Sequence, residues 1–153
     1  MATNHSFWRE KACVPGIIRK SRAPTAVEDN ELLLKVQSWA INPADHMVQD
    51  IPLPFITYPL ILGEDVAGTV EIVGSATASK FKKGDRVVGL ALGSSSVKPE
   101  RGGFQDYVVL DCTLTSVQDP GFLVFQRRFR LPTLSGYRRS RPFLKGLSRP
   151  LIS

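Results

Sequence analysis

The chain has 153 residues, 42% hydrophobic and 22% charged, with a formal charge of +6. That is enough for one domain with a real core, whereas a second full-sized one would take about another 100 residues. Disorder throughout and a membrane protein both fit this balance poorly: the longest apolar run, Ile51 to Leu62, is cut by Pro52, Pro54 and Pro59, far short of the ~20 residues of a spanning helix.

The charge is unevenly placed. Residues 1–116 carry twelve basic against thirteen acidic side chains, and residues 117–153 carry eight basic against Asp119 alone. A basic domain face is therefore unsupported, and the composition breaks near Ser116. The start, Met1 to Val14, holds His5, Arg9, Glu10 and Lys11 where a secretory leader needs an apolar core, so the expected location is cytoplasmic. Cys13 and Cys112 have no metal-type spacing and are too few for a disulfide framework. Both are expected to be reduced, buried thiols without a catalytic role.

Glu31 to Trp39 alternates with a period of two, Leu32, Leu34 and Val36 on one face and Lys35 and Gln37 on the other, which predicts a half-buried strand. Asn42-Pro43-Ala44-Asp45 predicts a turn or helix start, since a proline at an early helical position has no amide hydrogen to lose. The proline-rich stretch Asp50 to Tyr58 reads as an extended surface loop. Gly63 to Gly74 is rich in β-branched residues and interrupted by Gly68, predicting a strand with a bulge or a close backbone approach. Lys82 to Ala91 and Gly102 to Leu110 each give a glycine turn leading into a short apolar strand. Several short strands bounded by turns suggest a barrel or sandwich. Beyond Asp119, single apolar residues stand among arginines, prolines and serines, and residues 117–153 are expected to form an irregular, disordered tail.

Three segments in this order and spacing resemble the medium-chain dehydrogenase/reductase superfamily: Lys35-Val-Gln-Ser-Trp-Ala-Ile-Asn-Pro-Ala-Asp45, Gly63-Glu-Asp-Val-Ala-Gly-Thr-Val70 and Phe81-Lys-Lys-Gly-Asp-Arg-Val-Val-Gly89. Gly103-Phe-Gln-Asp-Tyr107 is similar to a later strand entry of the same domain. The resemblance implies a mainly β fold, a GroES-like, partly open β-barrel with short helices over residues 1–116. In the zinc-dependent branch a cysteine and a histidine stand where this chain has Asn42 and Glu64, and a four-cysteine lobe lies where Ser94 to Arg101 has none, so no zinc is expected.

The remaining likeness is to the zinc-free enoyl and quinone reductases, and within them to fungal trans-acting enoyl reductases. It implies NADP(H) as cofactor, a small-molecule or carrier-bound enoyl thioester as substrate and a polyketide synthase as partner, with neither nucleic acid nor membrane, in a monomer. It places Ala44, Asp45, His46 and Met47 along the nicotinamide end of the cofactor. Some relatives have a lysine at the position of Met47, and methionine offers neither its charge nor its donors. Asp45 reads equally well as an acceptor for free amides in a helix's first turn. Glu64 and Asp65 are expected to pair with a nearby lysine or arginine. Gly63, Gly68, Gly84 and Gly89 are assigned to backbone geometry, because no Gly-x-Gly-x-x-Gly follows a strand.

Relatives continue into a Rossmann domain, which is missing from these 153 residues, so the expectation is a truncated product, inactive alone. The alternative is a non-catalytic remnant or interaction module whose basic tail binds nucleic acid or membrane lipid.

Overall fold

The computed structural model describes residues 2–96 and 98–118. The tail expected from the sequence lies outside them from residue 119 onward. Eight strands form two antiparallel sheets. The smaller has the order β2-β1-β4, with β1 at Thr3–Arg9, β2 at Ile17–Arg22 and β4 at Leu60–Ile61. The larger has the order β7-β3-β5-β6-β8, with β3 at Glu31–Trp39, β5 at Asp65–Val73, β6 at Arg86–Leu90, β7 at Tyr107–Asp111 and β8 at Thr115–Val117. This is the partly open, mainly β barrel. Strand β8 straddles the compositional break at Ser116.

Strand β3 is the spine, pairing β5 on one side and β7 on the other. Its alternation holds for Leu32 and Leu34, both fully buried in a core shared with Val66, Val70, Phe81, Val87, Val108 and Leu110. Burial of this apolar surface is the main stabilising term of the barrel. The reading of β3 as half-buried needs correcting at its start, because Leu33 and its partner Val109 are also buried on the opposite face. Gly68 does what the sequence suggests: the β3–β5 register slips between Val36 and Ser38, and any side chain at Gly68 would run into the Lys35 carbonyl. That slip is a bulge, which bends the sheet into its curl.

The proline-rich loop is less superficial than expected. Ile56 is buried and joins Leu60, Leu62 and Val48 in a second apolar cluster, with Leu53, Tyr58 and Phe104 at its margin. Val48 comes from helix α1, Pro43–Asp50, so this cluster seats the helix on the barrel. Strands β1 and β2 escape the sequence reading. Strand β2 is exposed along its whole length, so nothing in its sequence need alternate. The cysteines also depart from expectation: both are free, but Cys13 is exposed and Cys112 only partly buried.

Candidate functional site

Helix α1 begins where the sequence places it, with Pro43 first and Asn42 as the residue before it. Asp45, in its first turn, is buried. One carboxylate oxygen accepts the Asn42 amide at 2.8 Å and the other accepts the Gly63 amide at 3.2 Å. The side chain thus fastens the start of α1 to the loop entering β5. Burial pushes the Asp45 carboxyl above the ordinary range, the two amides pull it part of the way back, and nearby Glu64 and Asp65 add to the rise.

Next to Asp45 the carboxylates are not paired with cations among the described residues. Asp65 accepts the Asn42 side-chain amide at 2.8 Å, and Glu64 accepts the Ser94 hydroxyl at 2.7 Å. Contrary to expectation, among the described residues a loop donor, and no lysine or arginine, bonds each of these groups. Among the described residues no group of three or more His, Cys, Asp or Glu is arranged to hold a metal ion.

Asp45 and Asp65 border a groove of about 1210 Å³. Phe7, Trp39, Leu62, Val66, Phe104 and Leu114 form its apolar wall. Gly63, at a φ of +96°, keeps the loop clear of the Phe104 ring, which any side chain there would meet. Of the four residues singled out from the sequence, Asp45 and His46 line the groove and Ala44 and Met47 do not. His46 is exposed, its Nδ1 3.2 Å from Asp50 one turn later, and Met47 is 47% exposed.

The groove residues that sequence reasoning missed are its aromatics. Trp39 ends β3 and Phe104 lies in the bend before β7, where a large ring beside Ala40 or Gly103 was the available signal. The Trp39 indole Nε1 is buried without a partner among the described residues, whereas the Trp8 indole donates to Ser6 Oγ at 2.8 Å.

Residues 28–118 match the model of the alcohol dehydrogenase GroES-like domain. The chain belongs to this family. It is a GroES-like domain of the medium-chain dehydrogenase/reductase superfamily, and fungal proteins are among its relatives. It is 42% identical over 107 residues to "Dehydrogenase orf1" of Aspergillus niger, covering 65% of this chain and 30% of that protein. It is 38% identical over 122 residues to "Trans-enoyl reductase RAP2" of Pyricularia oryzae, covering 79% of this chain and 33% of that one.

Among solved structures, an alcohol dehydrogenase superfamily protein from Novosphingobium aromaticivorans superposes with a TM-score of 0.65 at 26% identity, covering 78% of this chain and 36% of its own. A mycobacterial protein complexed with NADPH superposes with a TM-score of 0.60 at 25% identity, covering 78% of this chain and 35% of its own. The chain thus spans about a third of the length of these relatives.

Proposed function

We propose that this GroES-like domain supplies the acyl-binding side of an NADP(H)-dependent enoyl reductase acting on carrier-bound thioesters in polyketide assembly. The observation that carries this reading is the groove. A long trough walled by Phe7, Trp39, Leu62, Phe104 and Leu114 suits an extended hydrocarbon chain, which gains free energy by leaving water for such a wall. Relatives named trans-enoyl reductases, such as those of Aspergillus japonicus and Pyricularia oryzae, support the choice of reaction.

NADPH, when bound, supplies the hydride that reduces the activated alkene. The residues near α1 fit the uncharged nicotinamide end of such a cofactor and not its phosphates, because Asp45, Glu64 and Asp65 concentrate negative charge there. In this reading Ala44, Asp45, His46 and Met47 border the nicotinamide, with Asp45 holding the turn in place through its two amide bonds. The polypeptide's remaining work is to position the alkene and to stabilise charge on the thioester oxygen. Ser38 and Ser116 are hydroxyls in the groove lining suited to that oxygen. The reaction is proposed to be zinc-independent: Asn42 is engaged with Asp65 and Glu64 with Ser94, an amide and a carboxylate where zinc favours thiolate and imidazole.

Calorimetric titration tests the reading. A trans-2-octenoyl thioester should bind at least about tenfold tighter than octan-2-ol, because its conjugated carbonyl and thiol arm add contacts beyond the apolar chain that the alcohol lacks. Equal affinity for the two, or tighter binding of the alcohol, would turn the assignment toward alcohol oxidation.

A further inference from the structure

The polar side chains of the groove differ in what they have left to offer. Asp45 has given both oxygens to backbone amides. Thr113 and Thr115 donate their hydroxyls to Asp111, to its side chain and its backbone carbonyl respectively. His46 faces Asp50. Ser38 and Ser116 keep hydroxyls that suit an acceptor; Asp65 differs in being an acceptor, exposed at the groove, with one oxygen accepting the Asn42 side-chain amide and the other accepting no bond among the described residues.

The Asn42 bond removes much of the rotational freedom of the Asp65 carboxylate, so the open oxygen is presented in a set direction and a ligand need not spend free energy ordering it. The surroundings also define the ligand. With Asp45, Glu64 and Asp65 close together and His46 already opposite Asp50, an anionic end group would be repelled, while a neutral N–H or O–H would gain a charge-assisted hydrogen bond.

We propose that Asp65, oriented by Asn42, is the polar anchor of the groove and selects thioesters that carry an amide N–H close to the sulfur, as a carrier-type thiol arm does. The inference rests on the groove being the acyl site and adds which part of the ligand lies at its mouth: the chain runs along the aromatic wall and the amide side of the thioester reaches Asp65. Free acids and acyl phosphates are selected against by the same carboxylates.

Two ligands differing in one atom test this. The first is the trans-2-octenoyl thioester of N-acetylcysteamine; the second is the matching 2-acetoxyethyl thioester, in which oxygen replaces the N–H. The 153-residue protein should bind the first about tenfold tighter, the size expected for one charge-assisted hydrogen bond. In D65N, which sets an amide donor where the open oxygen was, the ratio should fall to within about twofold. N42A, which frees the Asp65 carboxylate to rotate, should give an intermediate ratio. Equal affinity for the two compounds in the unaltered protein, or an undiminished preference in D65N, overturns the role of Asp65 and leaves the groove reading standing. Failure of both compounds to bind overturns the groove reading as well.

Discussion

Two hollows on this barrel differ in how far their polar groups are already engaged. The groove beside α1 is walled by aromatic and aliphatic side chains. A second hollow, of about 550 Å³ and lined by Asn4, Ser6, Trp8, Ile61, Gln105 and Val109 among others, has a larger polar share, and several of its polar groups are bonded within the fold. Asn4 donates to Gln105 at 2.9 Å, Gln105 donates to the Pro99 and Gly102 carbonyls at 3.1 and 2.6 Å, and Glu31 is held by Arg101. The difference teaches where binding capacity lies. Asn4 and Gln105 in the second hollow are committed to joining β1 to the segment that leads into β7, whereas the groove keeps apolar area and an open carboxylate oxygen for a ligand.

If that contrast is right, damage to the polar hollow costs stability and damage to the groove costs binding. The largest effect is expected from Gln105→Ala, which removes a side chain only 1% exposed and strands the Asn4 side-chain amide and the Gly102 carbonyl. Urea unfolding should show a loss of about 3 kcal/mol with ligand affinity nearly unchanged relative to the folded fraction. A loss below about 0.5 kcal/mol would erase the distinction between the hollows. Gly63→Ala comes next: a positive φ and a clash with the Phe104 ring should cost about 2 kcal/mol, and the displaced ring should also weaken thioester binding.

Asp45→Ala should cost about 1 kcal/mol by freeing two amides, and its pH dependence sharpens the comparison further. Because the folded protein holds the Asp45 proton more tightly than the unfolded chain, stability should decline as pH rises from the ordinary aspartate value of 3.8 through the higher folded value, and stay level above it. Glu28, held low by Lys98, and Asp111, held low by Thr113, act in the opposite direction. The difference between wild type and D45N in unfolding experiments across that range isolates Asp45. A difference that grows with falling pH in favour of D45N would contradict the sign. The smallest effect belongs to His46→Ala. Its contact with Asp50 is exposed on both sides, so thermal unfolding should register less than about 0.5 kcal/mol.

Much of the barrel was legible because its strands bury one face at a time. The period of Leu32 and Leu34, the interruption at Gly68 and the Gly84 turn each map onto a structural requirement visible in one residue or its spacing. Strand β2 was not legible: with no buried face its hydrophobic pattern is unconstrained, and only pairing with β1 makes it a strand. Leu33 misled for a related reason, since the packing on its far side depends on segments distant in the chain. At the site, the proline after Asn42 announced α1, but Asp45 reaches an amide eighteen positions away, which spacing does not reveal. The aromatics Trp39 and Phe104 come from separate segments and meet only in the fold.

The protein has two tryptophans, one lining each hollow, and their indole N–H resonances offer the most direct test. Titrated with a trans-2-octenoyl thioester, the Trp39 signal should move in proportion to occupancy while the Trp8 signal, fixed by its bond to Ser6, stays in place. Movement of Trp8 with Trp39 unaffected would contradict the assignment of the acyl chain to the groove.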